Sequence, residues 1–193
     1  MSQKTPIKLY PQDYLLRYTI LPFIPQWVRP NHLTLLRMLM TPFVVWLLFI
    51  GDYALGTPLF VIAVLTDLFD GVIARVRNQI TPWGIFFDPV ADKLLVGCVA
   101  LTIGLRYFHP VLVFVAIALD LLPAILLLSR KVPKDQPVSA NIWGKIKMVL
   151  QFCAFASLLI GVQIGSGGLV AGGESILGIS LIFALIAAVT YSL

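Results

Sequence analysis

The chain has 193 residues, of which 59% are hydrophobic and 12% are charged, and its formal net charge is +5. Because soluble domains carry roughly 25% charged residues, this composition excludes a water-soluble globular fold, and we expect the apolar surface to face lipid. Several apolar runs reach or approach the roughly 20 residues that cross a bilayer as a helix. The positive charge favours anionic lipid head groups or nucleotides as partners over nucleic acid.

We predict a cytoplasmic amphipathic segment at residues 1–32. Its mixture of charges, prolines and aromatics lacks the compact apolar core of a cleavable signal peptide. The stretch Tyr10–Val28 is typical of an amphipathic juxtamembrane helix that lies on the membrane surface. The apolar side chains expected to enter the lipid are Leu15, Leu16, Ile20 and Trp27. A partly ordered tail is the alternative, because apolar periodicity alone is a weak guide.

Residues 33–193 are predicted to form one all-α membrane domain of six transmembrane helices. Glycine, proline or polar residues separate the apolar runs, as at Gly51-Asp52, at Arg77-Asn78-Gln79 and in a glycine-rich turn from Gly165 to Gly173. No soluble domain fits between these runs. The predicted spans are residues 33–51, 57–78, 83–106, 110–129, 143–165 and 174–192.

The lysines and arginines give the expected orientation. With a cytoplasmic N-terminus most of them fall on one side of the membrane, whereas Arg106 lies on the opposite side. This positive-inside bias predicts that both termini are cytoplasmic. The cations on the cytoplasmic side are Lys4, Lys8, Arg17, Arg29, Arg75, Arg77, Lys93, Arg130, Lys131, Lys134, Lys145 and Lys147.

Four of the nine carboxylates lie within 26 residues, on the second and third predicted spans. At about 100° per residue, Asp67 and Asp70 share one helix face, and Asp88 and Asp92 form an i, i+4 pair. The short connection makes the two helices antiparallel neighbours, so the four side chains can converge. A charge in mid-membrane costs roughly 2.5–3.5 kcal/mol, which protonation or a divalent cation would offset. Oxygen ligands favour magnesium, manganese or calcium over zinc.

Small and cationic residues lie beside these acids in the sequence. Gly71, Ala74 and Gly84 leave room either for close helix packing or for a planar ligand, and we favour the ligand at Gly71 and Ala74. Arg75, one turn after Asp70, can hold a pyrophosphate through two hydrogen bonds. Its alternative role is that of a counter-ion for the carboxylates.

The spacing of these residues resembles the signature of the CDP-alcohol phosphotransferase family. The signature reads Asp, two residues, Asp-Gly, two residues, Ala-Arg, eight residues, Gly, three residues, Asp, three residues, Asp. Its eight positions match by chance at a given site with a probability on the order of one in 10¹⁰. This chain fills them with Asp67, Asp70, Gly71, Ala74, Arg75, Gly84, Asp88 and Asp92. The resemblance extends over most of residues 30–193.

The resemblance implies an integral membrane enzyme that moves a phosphatidyl group from CDP-diacylglycerol to an alcohol and releases CMP. It implies that Asp67, Asp70 and Asp88 bind divalent metal, Mg²⁺ or Mn²⁺ with two ions per site, and that Asp92 completes the second site and acts as general base. It also implies a homodimer in the plasma (inner) membrane, with the active site facing the cytoplasm. The nucleotide-binding residues implied are Asn31, Thr34, Gly71, Ala74 and Arg75.

One branch of the family resembles this chain most, the phosphatidylglycerophosphate synthases. The matching stretches are Asp88-Pro89, Ala91-Asp92-Lys93 and Trp143-Gly144-Lys145-Ile146-Lys147. They imply glycerol 3-phosphate as acceptor alcohol, with Arg37, Arg130, Lys145 and Lys147 as candidate acceptor-binding cations.

The chain differs from that branch at two positions, so other acceptor alcohols stay as alternatives. Met148 stands where the branch usually has Thr, and Leu119 replaces a basic residue that often precedes the acid of the fourth span. Phosphatidylglycerol, as in cardiolipin synthases, and inositol phosphate are therefore alternative acceptors. Asp120 lies in mid-span and is expected to have a polar partner, for which Arg37 and Lys145 are candidates. A cation-coupled transporter is the alternative from another class, although no internal repeat supports it.

Overall fold

A computed structural model of the chain describes residues 24–79, 81–129 and 142–192, together with Tyr14, Tyr18 and Leu21. The side chains of 85, 123–129 and 191–192 are outside this description. Most of the predicted amphipathic stretch therefore lies outside the described residues, although Tyr14 and Tyr18 are helical and exposed. The cations Arg130, Lys131 and Lys134, between the predicted spans 110–129 and 143–165, also lie outside them.

The described part of the chain is helical and contains no strand. A short π-helical segment, Ala100–Gly104, continues the third helix into the fourth. From Pro30 onwards, the helices of the described residues are α1 (Pro30–Phe49), α2 (Tyr53–Val76), α3 (Pro82–Val99), α4 (Leu105–Tyr107), α5 (Pro110–Ser129), α6 (Ile142–Gln163) and α7 (Gly167–Ser192).

Three of the described helices are long and apolar enough to cross a membrane. They are α1, α6 and the part of α7 from Gly167 to Thr190. The prediction of an all-helical protein with membrane-spanning helices is thus confirmed at this level. The crossings assigned to the other three predicted spans stay a prediction.

Left-handed residues mark the helix ends that the sequence predicted. Gly51 adopts a φ of 83° after α1, and the Asp52 carboxylate then accepts a hydrogen bond from the Leu55 amide at 3.2 Å, which caps the start of α2. Asn78, in the loop between α2 and α3, has a φ of 54°, which asparagine tolerates better than most residues. The glycine or asparagine at each site therefore ends its helix with little backbone strain.

The glycine-rich turn was predicted too long. Gly165 has a φ of 69° and forms the turn, but α7 already begins at Gly167, seven residues before the predicted start of the last span at 174. The prediction failed because glycine was taken only as a helix breaker. Within α7, however, Gly173 lies against the backbone of α6: a Cβ there would come within 2.7 Å of the Ala154 carbonyl oxygen.

The chain divides into two compact units. The first comprises the described residues up to Phe43 together with Leu59–Leu95, and its core contains Phe60, Val72 and Ile73. The second comprises Val44–Pro58 and the described residues from Val96 onwards. Phe155, Leu158, Leu159 and Leu177 are buried in this second core.

Close packing of α6 and α7 should depend on Gly173. Replacing Gly173 by Ala puts a methyl group against the Ala154 carbonyl and within 3.3 Å of the Leu158 amide nitrogen. Such overpacking typically costs about 1–3 kcal/mol, so the thermal unfolding midpoint in detergent should fall.

The neighbouring residue gives a matched control. A Cβ on Gly172 meets nothing within 4 Å, so Gly172→Ala should leave the midpoint unchanged or raise it through helix propensity. Equal midpoints for the two variants would contradict the close approach at Gly173.

Candidate functional site

The polar side chains of the first unit come from three helices. Asn31, Thr34 and Arg37 follow one another at three-residue intervals on α1, which places them within about 120° of one helix face. Residues of α2 and α3, which carry the four aspartates of the sequence signature, meet this face.

Arg37 holds the two acids of α2. Its side chain is fully buried, and its Nη1 lies 2.6 Å from Asp67 Oδ1 while its Nη2 lies 3.2 Å from Asp70 Oδ2. Asp70 is itself 3% exposed, whereas Asp67 is 30% exposed. The positive charge of this guanidinium offsets part of the hydration that the two carboxyl groups lose on burial. The structure therefore makes Arg37 a counter-ion, a role that the sequence analysis considered for Arg75.

Thr34 joins the acids of α2 to those of α3. Its buried hydroxyl donates to Asp88 Oδ1 at 2.5 Å and lies 3.5 Å from Asp70 Oδ2. The charges of Asp67 and Asp88 are also near enough to interact with each other and with Asp70. Three of the four predicted acids are therefore brought together around two side chains of α1.

Asn31 and Gly84 complete one edge of this cluster. The Thr81 hydroxyl donates to Asn31 Oδ1 at 2.8 Å and accepts from the Gly84 amide at 3.0 Å, which caps the start of α3. A Cβ on Gly84 would lie 3.2 Å from Thr81 Oγ1, 3.3 Å from Asn31 Oδ1 and 3.4 Å from Asp88 Oδ2. Glycine at this position thus keeps space among polar oxygen atoms.

The remaining signature residues lie next to the cluster on α2 and α3. Asp92 is partly exposed, one turn after Asp88 on α3. The guanidinium of Arg75 lies over Gly71, because a Cβ on that glycine would be 3.2 Å from Arg75 Nη1. The space that we assigned to a planar ligand beside Gly71 is thus shared with Arg75. Ala74, on the same turn as Arg75, is partly buried.

The cluster has the donor chemistry for a hard divalent cation. Its three carboxyl groups outnumber the one guanidinium, so their ionised forms carry more negative charge than Arg37 can balance, and carboxylate oxygens suit Mg²⁺ or Mn²⁺. Among the described residues, however, no three acid, His or Cys side chains are arranged to hold one ion. The residues fit such a cation by charge and ligand type. In this structure the acids contact Arg37 and Thr34.

A separate polar cluster lies in the second unit. Lys147 Nζ donates to Asp120 Oδ1 at 2.5 Å, and Gln151 Nε2 lies 3.1 and 3.0 Å from the two carboxylate oxygens. The expectation that Arg37 or Lys145 would partner Asp120 is corrected here for Arg37, whose guanidinium pairs with the acids of α2. Lys147, predicted to bind the acceptor, has its positive charge matched by Asp120.

The sequence analysis missed several of these partners, and signals for them were present. Thr81 directly precedes Pro82, and a Thr-Pro pair is typical of a helix N-cap followed by its first residue. Arg37 is a cation in the middle of an apolar span, where a carboxylate partner is expected. Gln151 lies one turn after Lys147, so both can reach a single group.

Comparison with known proteins identifies the family of this chain. A family model described as CDP-alcohol phosphatidyltransferase matches residues 27–190. The chain belongs to the CDP-alcohol phosphatidyltransferase family and is an enzyme of that class. The family is generally dependent on divalent cations.

Several individual relatives share the name of one particular reaction. Proteins named CDP-diacylglycerol–glycerol-3-phosphate 3-phosphatidyltransferase from Rickettsia typhi and Rickettsia prowazekii are each 37% identical over 179 residues, covering 84% of this chain and 93% and 92% of their own lengths. One with the same name from Wigglesworthia glossinidia brevipalpis is 34% identical over 138 residues, covering 67% of this chain and 75% of its own length.

Removing one partner of the ion pair between Asp120 and Lys147 should destabilise the protein more than removing both partners. Asp120→Leu leaves the Lys147 ammonium without its counter-charge. Breaking a fully buried pair in this way typically costs about 3–5 kcal/mol, and the cost should be smaller here because the two side chains are 14% and 17% exposed. We expect a clear fall in the thermal unfolding midpoint, measured in detergent.

The double variant Asp120→Leu with Lys147→Met should regain the part of that loss caused by the unpaired ammonium, because apolar residues of similar volume often replace a buried pair without cost. The Gln151 amide still lacks the two carboxylate oxygens in both variants. A double variant as unstable as the single one would show that the charge pair does not account for the loss.

Proposed function

We propose that this chain transfers the phosphatidyl group of CDP-diacylglycerol to glycerol 3-phosphate and releases CMP. The observation that carries the proposal is the meeting of Asp67, Asp70 and Asp88 around Arg37 and Thr34. These acids belong to a signature that the chain fills completely, and the relatives named for this reaction align along most of its length.

For metal binding, we propose Asp67, Asp70 and Asp88, with Asp92 completing a second site. When bound, two divalent cations would stabilise negative charge on the diphosphate and on the departing CMP. The support is the all-oxygen donor set and the net negative charge that Arg37 leaves on the cluster. Arg37 holds Asp67 and Asp70 on one face of α2 before any ligand arrives.

Asp92 is the proposed general base. Its carboxylate takes the proton of the acceptor hydroxyl as the acceptor oxygen bonds to the lipid-linked phosphorus. The bond from that phosphorus to the CMP oxygen breaks, and CMP leaves with the electron pair. Asp92 is partly exposed and lies one turn after Asp88 on α3, which supports its access to an incoming hydroxyl.

The nucleotide is proposed to contact Asn31, Thr34, Gly71, Ala74 and Arg75. Asn31 and Thr34 are supported by their hydrogen bonds to Thr81 and to Asp88 within the same cluster. Arg75, whose guanidinium covers Gly71, is suited to pair with a diphosphate oxygen.

For the acceptor phosphate, the proposed cations are those named from the sequence: Arg37, Arg130, Lys145 and Lys147. Their support is unequal. Arg37 is already paired with Asp67 and Asp70, Lys147 is paired with Asp120, and Arg130 lies outside the described residues. Lys145 is partly exposed on α6.

The proposed setting is a multi-pass protein of the plasma (inner) membrane. Six spans, a cytoplasmic amphipathic segment at residues 1–32 and an active site facing the cytoplasm follow from hydropathy and the distribution of cations. A homodimer follows from the family resemblance. The lipid tails would stay in the bilayer while the head group meets the aspartates.

Acceptor choice is tested by CMP release. Purified protein would be incubated with CDP-diacylglycerol, Mg²⁺ or Mn²⁺, and separately glycerol 3-phosphate, phosphatidylglycerol or inositol phosphate. We expect CMP only with glycerol 3-phosphate and none after chelation of the divalent cation. Release with another acceptor would reassign the branch, and no release with any of them would favour a non-enzymatic role such as cation transport.

The role of Asp92 has a direct test. Asp92→Asn removes the base but keeps the side-chain shape, so turnover should fall by about 10²–10⁴-fold while CDP still binds. Asp52→Asn is the matched control, because Asn also caps a helix start and Asp52 lies outside the signature. Wild-type turnover by Asp92→Asn would exclude Asp92 as the base.

A further inference from the structure

Arg77 makes contacts that its place in the signature region does not explain. It follows α2, two residues after Arg75, and its guanidinium donates to three backbone carbonyls of the segment before α1. Nη2 lies 2.7 Å from the Ile24 carbonyl oxygen, and Nη1 lies 3.1 Å from that of Pro25 and 3.0 Å from that of Val28. A single side chain thus collects three acceptors from five consecutive residues.

The segment that Arg77 holds is a turn. The Val28 amide donates to the Pro25 carbonyl at 3.1 Å, and the Ile24 amide donates to the Leu21 carbonyl at 3.2 Å. These local bonds leave the carbonyls of Ile24 and Val28 directed to Arg77. The planar guanidinium can serve several acceptors at once in a fixed geometry, which the compact ammonium of lysine cannot reproduce.

The same segment leads straight into the candidate site. Asn31, three residues after Val28, accepts from Thr81, and Thr34 then reaches Asp88 and Asp70. Arg77 therefore contributes the first of a series of contacts along the chain, which connect the start of α1 with α2, with α3 and with the loop between them. All of these residues belong to the first unit.

We propose that Arg77 is a positioning residue, which clamps the turn 24–28 and so sets the register of Asn31 and Thr34 beside the acids. The effect on catalysis rests on the proposed transfer reaction, whereas the clamp itself does not. For this role, the planar set of hydrogen-bond donors on the Arg77 guanidinium matters more than its positive charge. A membrane-surface anchor acting by charge alone would be served equally well by lysine.

The test compares Arg77→Lys and Arg77→Gln with the wild type. Hydrogen exchange measured by mass spectrometry on the peptide that covers residues 24–31 should become faster in both variants, because the turn loses its clamp. Affinity for CDP in the presence of Mg²⁺ should fall about tenfold in both, as expected from losing hydrogen bonds to a charged group. The KM for CDP-diacylglycerol should rise in parallel.

Arg29→Gln is the matched control. Arg29 is exposed in the same segment, so this variant removes one positive charge without removing the guanidinium bound to the three carbonyls. Exchange and CDP affinity should match the wild type, and thermal unfolding midpoints should establish that every variant is folded.

Three results would overturn the proposal. Wild-type exchange and affinity in Arg77→Lys would show that charge alone matters. Faster exchange with unchanged CDP affinity would leave Arg77 a local structural role only. A loss of affinity with unchanged exchange would mean that Arg77 contacts the nucleotide itself. If the wild type releases no CMP with any acceptor, the transfer reaction fails, yet exchange and CDP binding still decide the role of Arg77.

Discussion

The pairing of one buried guanidinium with two aspartates is the constraint on which the first unit depends. Arg37 has no exposed surface, and its only means of replacing lost hydration is to face negative groups. Asp67 and Asp70 lie three residues apart on α2, so the planar guanidinium can meet one with each Nη atom. This pairing fixes the facing sides of α1 and α2. The acids are thereby gathered at one place without cancelling all of their charge.

The location of the acids on two neighbouring helices could be predicted from the sequence, because the 3.6-residue period determines which positions share a face. The helix starts and ends were also close to the expected ones, since Gly51 and Asn78 mark them chemically. The partner of each polar residue could not be predicted in the same way. Spacing within α2 places Arg75 near Asp70, but it contains no information on which face of α1 turns towards α2.

Asp120 illustrates the same limit in the second unit. From the sequence, any cation on another span could serve, and the candidates named were Arg37 and Lys145 instead of Lys147. The two lysines are two residues apart and thus about 160° from each other around a helix. Once α6 presents Gln151 to Asp120, only the lysine one turn earlier shares that face. The prediction of a long glycine-rich turn before α7 failed for a related reason. Close contact at a glycine depends on both helices, and the sequence of one helix does not show it.

The Thr34 hydroxyl has a consequence of its own. It carries one proton but has three oxygen atoms near it: Asp88 Oδ1, Asp70 Oδ2 and, at 3.4 Å, the Pro30 carbonyl. Rotation about a single side-chain torsion redirects the proton from one acceptor to another. If the Asp88 oxygen becomes unavailable, the Thr34 hydroxyl can turn to the Pro30 carbonyl and keep a hydrogen bond. The cluster can thus exchange hydrogen-bond partners without leaving the buried Thr34 hydroxyl without an acceptor.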